Sequence, residues 1–600
     1  MPVARTHCVG LVGVTGRLVE VEADVGPGIA GTHFIGLLDT AISEARGRVR
    51  SALINSRFAW PDARVTVSLF PATLPKRGSI FDLAIAIAVL GAAGAVPAQR
   101  IAAPTFLGEL GLDGRVRPIR GVLPAALAAA EAGVRTVVVP ALNAAEAALV
   151  PDLTVVPVAT LAELVGWLRS GDLHRLPVVA DAASLSQDAA HAEHTEHAEH
   201  DDHTERAEHD DHTERAEHDD HTERAEHGEH AEHGEHAERG EHAEHGEHPG
   251  HPGHAGHSRN GRRIGDASRP FGPYGGGRAA PGPDLCDVAG QPMGRKALEV
   301  CAAGGHNLWM LGPPGSGKTM LAERLPTLLP PLDQKSALEV SAIHSVAGTL
   351  PPGRPLLTRP PFMAPHHSAT MAAVVGGGSG GVVRPGTVSL AHRGVLFLDE
   401  APEFATTVLD SLRQPLESGT VTIARAVGAV TFPARFMLVL AANPCPCGLQ
   451  GTVGHPCKCT PAGRRRYLDR LSGPLLDRVD VKVKIGRATR AELLADRHFV
   501  ETSATVAERV RLARERAARR LAGTPWRTNA EVSSSALHRD FRLPDAAMAP
   551  LHRGLDVGTL SARGLDRVLR ISWTIADLTC KDRPGQAETS AALALWLGVD

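Results

Sequence analysis

A glycine-rich stretch in the middle of the chain constrains the fold more than any other feature. The apolar run 307–311 predicts a short buried strand, and residues 320–329 predict a helix. Between them the sequence fits G-x-x-x-x-G-K-[ST], a pattern typical of a turn that wraps phosphate groups between a strand and a helix. Backbone N–H groups and the helix dipole favour phosphate at such a turn. The predicted phosphate-binding residues are Gly312, Pro313, Pro314, Gly315, Ser316, Gly317, Lys318 and Thr319.

A second motif indicates which reaction takes place at this loop. The apolar run 394–398 ends in Asp399 and Glu400. We expect Lys318 to contact the β- and γ-phosphates, and Thr319 and Asp399 to hold Mg²⁺. Glu400 is placed to act as the general base that polarises an attacking water. Together the two motifs predict a Mg²⁺-dependent ATPase.

Composition limits which other classes of protein the chain can belong to. With 43% apolar residues the chain can bury cores, and a net charge of -4 does not mark a strongly basic nucleic-acid binder, although a local basic surface stays open. The longest apolar stretch, 83–96, is too short to span a bilayer, and residues 1–7 lack an apolar signal core. Eight cysteines in 600 residues do not suggest a disulfide scaffold. We therefore expect a cytoplasmic protein that does not bind membranes.

The first 175 residues alternate strand-like and helix-like segments and predict an α+β domain. Residues 75–83 and 108–121 resemble the Lon-protease-like domain. A protease of that type needs a Ser activated by a Lys. Ile80 aligns near the Ser position, with Ser79 adjacent, and no Lys occurs between residues 114 and 150. The favoured interpretation is a non-proteolytic structural or ligand-handling domain.

Residues 180–280 differ sharply in composition. A nine-residue unit rich in His, Asp and Glu repeats from residue 199 to 225, and 19 of the 31 histidines lie between His191 and His257. Such a segment has almost no apolar side chain larger than Ala, so it predicts a disordered linker. Metal buffering by its imidazoles is the alternative.

The ATPase core is predicted at 283–490 and a helical C-terminal region, the lid, at 491–600. Within the core, Asn443 ends an apolar strand, where its amide could orient the attacking water. His366 and His367 are either a packing pair or a contact at a ring pore or between subunits. Four cysteines, spaced C-x-C-x₉-C-x-C within 445–459, are candidate Zn²⁺ ligands, with a disordered or redox-active thiol cluster as the alternative. They are Cys445, Cys447, Cys457 and Cys459.

Basic residues offer two candidate surfaces for nucleic acid. The first combines Arg425, on a predicted hairpin, with the glycine-rich loop 376–381. The second is a helix, 506–521, which is either a solvated face or a phosphate-backbone contact. Its arginines are Arg509, Arg511, Arg514, Arg516, Arg519 and Arg520.

Taken together, the chain resembles the Mg-chelatase-like AAA+ ATPases of the YifB/ComM type. The matching motifs are the Lon-like domain, the phosphate loop, 364–367, 389–392, 394–400, 443–444 and 470–480. The resemblance implies a multidomain α/β protein with a Lon-protease-like α+β N-domain, an AAA+ P-loop α/β core and a C-terminal helical lid. It further implies a hexameric ring with ATP between subunits.

By the same resemblance, Asn443 is sensor 1, Arg478 the arginine finger that acts on a neighbour's nucleotide, and Arg563 sensor 2, with Arg567 competing for that role. A salt bridge of Arg478 with Asp477 or Asp480 is the alternative. The ComM branch is a DNA branch-migration helicase of natural transformation, which makes DNA the expected partner. A chelatase-type ATPase acting on a metal-handling or protein partner is the other open function.

Overall fold

The structure of the protein is a computed structural model that describes residues 3–36, 39–170, 282–351, 353–378, 383–425, 428–450, 456–490 and 501–598. The His-rich segment predicted at 180–280 lies outside the described residues. Among the residues described, no helix is both long and apolar enough to cross a bilayer.

The N-terminal part is built on a seven-stranded mixed sheet in the order β3-β4-β2-β1-β5-β8-β9. The period-two pattern of β2 explains its place, since Val19, Val21 and Ala23 are buried while the residues between them are partly exposed. A short hairpin, β6–β7, has two residues in each strand and encloses Asp113 and Gly114 in its turn. The strands are β1 Ala4–Val12, β2 Thr15–Gly26, β3 Gly31–Ile35, β4 Arg64–Phe70, β5 Thr105–Phe106, β6 Glu109–Leu110, β7 Val116–Arg117, β8 Thr136–Pro140 and β9 Thr154–Val158.

Helices cover this sheet and supply the rest of its core. The helix Asp82–Ala92 is apolar on every side and is almost wholly buried. Thr40–Asn55 begins at Asp39, whose carboxylate accepts the N–H of Ile42 at 2.9 Å and so caps the helix. The described helices of this part are Thr40–Asn55, Asp82–Ala92, Ala98–Ile101, Val122–Glu131, Ala144–Ala147 and Leu161–Ser170.

The second part contains a five-stranded parallel sheet in the order β11-β14-β17-β10-β18. Every residue of β14 and β17 is buried, as is typical of parallel strands covered on both faces. Two short hairpins, β12–β13 and β15–β16, stand outside this sheet. The strands are β10 Leu308–Leu311, β11 Phe362–Met363, β12 Gly376–Gly377, β13 Arg384–Pro385, β14 Val395–Leu398, β15 Thr420–Arg425, β16 Gly428–Pro433, β17 Met437–Ala442 and β18 Val481–Lys484.

Helices surround the parallel sheet and make up the described C-terminal residues. Residues 406–418 form two short helices rather than one, because Pro415 lacks an N–H and its ring conflicts with the carbonyl of Ser411. The helices are Pro292–Gly304, Lys318–Leu328, Gln334–Ala347, Met371–Val374, Thr387–Leu390, Thr406–Ser411, Arg413–Ser418, Pro461–Leu468, Gly473–Leu476, Ser503–Arg520, Ser534–Arg539, Asp545–Asp556, Ala562–Leu578 and Gln586–Leu597. The mixed α/β class with a parallel sheet is confirmed.

Candidate nucleotide site

The phosphate loop joins β10 to the helix Lys318–Leu328, as the sequence predicts. Gly315 and Gly317 have φ of 73° and 89°, backbone conformations that side chains with a Cβ disfavour. Gly312 is required for a different reason, since a Cβ there would lie 2.1 Å from the carbonyl oxygen of Ile485. The loop's shape therefore depends on glycine at each of these three positions.

Lys318 is buried beneath the loop that it follows. Its Nζ donates to the carbonyl oxygens of Gly312 at 2.8 Å and Pro313 at 3.0 Å, and to Oδ1 of Asn443 at 3.2 Å. Burial lowers the pKa of Lys318, while Asp399 and Glu400 act in the opposite direction. The ammonium group thus lies inside the loop with neutral acceptors that phosphate oxygens can replace.

The loop contains groups that fit a Mg²⁺-bound nucleotide. The Thr319 hydroxyl donates to Oδ2 of Asp399 at 2.7 Å, so two oxygen ligands of the kind Mg²⁺ prefers lie side by side. Ser316 Oγ is buried without a hydrogen-bond partner in the part of the chain that the structure describes. Buried polar atoms are normally paired, so this hydroxyl has unused capacity for a phosphate oxygen.

Glu400 follows the end of β14 and is held by His367. Its backbone is left-handed, with φ of 50°, and its N–H donates to Oδ1 of Asp399 at 2.9 Å. Oε2 of Glu400 lies 3.3 Å from Nδ1 of His367, whose ring contacts that of His366 at 4.1 Å between centroids and a tilt of 34°. The sequence did not predict this contact. The sequence feature that could have indicated the contact is the position of the His pair just after β11, a strand that pairs with β14.

Arg478 lies at the other end of the same sheet. It pairs with Glu417 and donates to the carbonyl oxygen of Pro474. The alternative salt bridge with Asp477 or Asp480 is therefore wrong for Arg478, because those carboxylates are taken by arginines of the C-terminal helices.

The two sensor 2 candidates differ in exposure. Arg563 lies 3.4 Å from Asp477 and its side chain is 83% exposed. Arg567 is 23% exposed and donates at 2.8 Å to Asp480, which is 1% exposed. Although burial by itself would raise the pKa of Asp480, Arg567 and His306 hold that pKa well below its usual range. Arg567 is thus held in an ion pair within the chain, whereas the side chain of Arg563 is accessible from solvent.

The strand register places Arg478 and the phosphate loop at opposite ends of the parallel sheet. β10 and β18 are parallel with Leu308 opposite Val481, and the Asn307 side chain donates to the carbonyl of Arg478 at 2.8 Å. Arg478 therefore lies before the start of these strands, whereas the phosphate loop follows their end. Four residues of strand span about 13 Å, so Arg478 lies too far away to reach the phosphates bound by its own loop.

The four candidate zinc ligands converge. Their Sγ atoms all lie within 4.8 Å of one another. The Leu449 N–H and the neighbouring thiols lower the pKa of Cys447 to about 6. His455, a spare ligand candidate, lies outside the described residues.

The arginines of the helix Ser503–Arg520 mostly contact the chain itself. Arg509 pairs with Glu299 and Glu501, Arg511 pairs with Glu508 and Glu515, and Arg520 pairs with Asp577. Arg514 and Arg516 donate to the carbonyl oxygens of Ala302 and Asp577. Four of the six thus join the helix to its neighbours and Arg511 pairs within the helix, which disfavours this surface for phosphate contacts.

The other candidate surface is more open. The hairpins β12–β13 and β15–β16 lie side by side, since a Cβ on Gly376 would be 2.7 Å from Cδ1 of Ile423. Arg384, which belongs to none of the predicted sites, is exposed on the first hairpin. Arg425 ends the strand β15 of the second. The loop predicted at 376–381 is described only as far as residue 378.

The Lon-like part carries no Ser–Lys pair at the aligned position. Ile80 is buried, and the Ser79 hydroxyl donates to Glu109. Lys76 is buried and donates to the carbonyl of Pro71.

Fold and site together define a P-loop nucleotide-binding protein with a second, Lon-like part. Comparison with known families agrees. The family described as "Magnesium chelatase, subunit ChlI" matches residues 284–493, "Subunit ChlI of Mg-chelatase" matches 21–143, and its C-terminal family matches 500–595.

Relatives that are similar over their full length narrow the family assignment. An uncharacterized protein of Mycobacterium tuberculosis is 44% identical over 99% of this chain and 98% of its own length. The competence protein ComM of Haemophilus influenzae is 35% identical over 99% of this chain and 97% of its own. A Lon protease of Rhizobium meliloti is 31% identical over 30% of this chain and 23% of its own length. The chain belongs to the Mg-chelatase-like AAA+ ATPase family of YifB and ComM.

Proposed function

We propose that the protein is a ring-forming, Mg²⁺-dependent ATPase whose substrate ATP binds between neighbouring subunits. Lys318 binds the β- and γ-phosphates, and Thr319 and Asp399 hold Mg²⁺, which neutralises phosphate charge. Glu400 accepts the proton of the attacking water, and Asn443 orients that water. The geometry of the loop supports these roles, as does the Ser316 hydroxyl, which has no partner among the described residues.

The observation that carries the ring is the position of Arg478 at the sheet end opposite the phosphate loop. An arginine that cannot reach its own nucleotide can still reach a neighbour's in a head-to-tail ring. There it stabilises the charge that develops on the transferred phosphoryl group. Arg563 is exposed near the same end, beside Asp477, and we assign sensor 2 to it rather than to Arg567.

DNA is the proposed partner of this motor. The full-length similarity to a competence protein supports it, as do the two adjacent hairpins with Arg384 and Arg425. We propose that these hairpins and the loop from Gly376 contact DNA phosphates and that ATP hydrolysis remodels branched DNA.

A chelatase-type motor acting on a metal-handling or protein partner is the second candidate. The match to magnesium chelatase subunit ChlI over 284–493 favours it. The two candidates differ in whether nucleic acid changes the rate of hydrolysis.

The deciding experiment measures ATP hydrolysis with single-stranded, duplex and four-way DNA across a salt series. We expect stimulation that falls steeply with salt, because phosphate contacts release counterions. The double variant Arg384→Ala/Arg425→Ala should lose most of the stimulation and keep basal hydrolysis. Arg542→Ala, an exposed lid arginine, is the matched control and should behave as wild type.

Absence of stimulation at low salt with all three DNAs would reject the DNA motor and favour the chelatase-type function. Equal loss of stimulation in the control would instead show that the effect of the double variant comes from net charge.

A further inference from the structure

We propose that Cys445, Cys447, Cys457 and Cys459 bind one Zn²⁺ and that this ion holds the segment 443–450 against the phosphate loop. The metal would be distinct from the Mg²⁺ at Thr319 and Asp399. It would be structural, with no position open to substrate.

The sulfur positions match a tetrahedral site. Zn–S bonds of about 2.3 Å place the sulfurs of such a site about 3.8 Å apart. Here Cys445 Sγ lies 3.4 Å from Cys447 Sγ and 3.6 Å from Cys457 Sγ, and the last two are 3.6 Å apart. A disulfide would need about 2.05 Å, so none of these pairs is bonded. Cys459 Sγ also lies within 4.8 Å of the other three, so four sulfurs converge as a single ion requires.

The ligand type selects the metal. Four thiolates are soft ligands, which favour Zn²⁺ over the hard Mg²⁺ that carboxylate and hydroxyl oxygens bind. Cys445 is buried and the other three are partly or largely exposed, so an ion can enter from the surface. A complete set of four protein ligands is typical of structural sites, whereas catalytic zinc keeps one position free.

The first half of the cluster contacts the phosphate loop. The Gly448 N–H donates to the carbonyl of Cys445 at 2.9 Å, which turns the chain just after Cys447. Gly448 has φ of 71°, and a Cβ there would lie 2.6 Å from Cγ of Pro314. The cysteine turn therefore packs directly on the loop, with no space for a side chain between them.

The second half of the cluster returns to Asn443. Cys459 is followed by Thr460, which caps the helix Pro461–Leu468 by accepting the Gly463 N–H. Burial raises the pKa of Tyr467 in that helix to about 12, while the nearby backbone N–H of Asn443 lowers it. A metal that joins the two cysteine pairs would thus close a loop that begins and ends at the residue we assign to water orientation.

Metal content tests the site itself and does not depend on the proposed ATPase. Protein purified under reducing conditions and supplied with Zn²⁺ should contain about one zinc per chain by elemental analysis. The variant Cys457→Ser/Cys459→Ser should lose it, and Cys580→Ser, an exposed cysteine elsewhere, should keep it. Co²⁺ should give the intense visible bands of a tetrahedral thiolate site in wild type only. Zinc retained by the double variant, or absent from wild type, would overturn the proposal.

Two measurements guard against misfolding and against failure of the functional assignment. The Lys318→Ala variant should retain full zinc, because its site is separate. Circular dichroism of the double cysteine variant should keep the helical spectrum, so that lost zinc reports lost ligands. If the double variant unfolds, the site is tested by chelation of the wild-type protein, which should remove zinc reversibly. Zinc that no chelator removes and no variant lowers would contradict the site.

A separate variant tests the contact between the cysteine turn and the phosphate loop. This test rests on the proposed ATP hydrolysis. Gly448→Ala should keep zinc but weaken ATP binding and slow hydrolysis at least tenfold, because its Cβ collides with Pro314. Gly94→Ala is the matched control: its φ is 72° and nothing lies within 4 Å of a Cβ there. Normal ATP binding and hydrolysis by Gly448→Ala would refute the mechanical coupling. If wild type itself hydrolyses no ATP, the proposed function fails while the zinc result stands.

Discussion

The contact between His367 and Glu400 predicts a change in the basal rate of hydrolysis. Glu400 must leave His367 before it can accept a proton from water, so the energy of that contact adds to the barrier. The two side chains are 37% and 49% exposed and 3.3 Å apart, and a contact with that exposure contributes about 0.5–1 kcal/mol when the imidazole is charged. His367→Ala should therefore raise the basal turnover by about two- to fivefold.

The assay is steady-state ATP hydrolysis at saturating ATP, with nucleotide affinity measured separately. His366→Ala is the matched control, because it removes the neighbouring ring but leaves the contact with Glu400; it should change turnover less. A fall in turnover of a hundredfold or more in His367→Ala, with affinity unchanged, would refute the reasoning and make His367 part of the chemistry.

Two further pairs of variants separate roles that the structure distinguishes. Lys318→Ala should abolish ATP binding, whereas Glu400→Gln should bind ATP without hydrolysing it; equal loss of binding in a filter assay would contradict both roles. Arg567→Ala should destabilise the fold by about 3 kcal/mol, the low end for breaking a buried ion pair because Arg567 is partly exposed, since it leaves the buried Asp480 with His306 as its main partner. Arg563→Ala should leave the melting temperature unchanged and lower turnover, and a similar fall in melting temperature for both would refute the distinction.

The sequence predicts the phosphate loop because that site is local. Glycines, Lys318 and Thr319 follow one another along the chain, and a buried strand before them and a helix after them define their surroundings. Asp399 and Asn443 are also predictable, because each follows an apolar strand and parallel strands bring such ends to one edge.

Contacts between distant side chains were not predictable in the same way. Arg478 has three acidic candidates near it in sequence or space, and only the fold decides that Glu417 is its partner. The cysteine spacing lacks the usual C-x₂-C pattern, so the convergence of the four sulfurs depends on how the turn at Gly448 meets the phosphate loop.

The arginine-rich helix shows the same limit. Its sequence suits solvent or nucleic acid equally, and the carboxylates that pair with Arg509 and Arg520 are remote in sequence at Glu299 and Asp577. A charge pattern on one helix does not reveal the charges of the helices packed against it.

Mixing two inactive variants tests the central claim, that each ATP site is completed by a neighbour. Lys318→Ala subunits retain Arg478, and Arg478→Ala subunits retain Lys318. In a random equal mixture about one interface in four has both residues intact, one half multiplied by one half, as a head-to-tail ring requires. The mixture, reassembled from dissociated subunits, should regain about a quarter of wild-type hydrolysis per site. A mixed ring, verified by mass, that stays as inactive as either variant alone would contradict the claim.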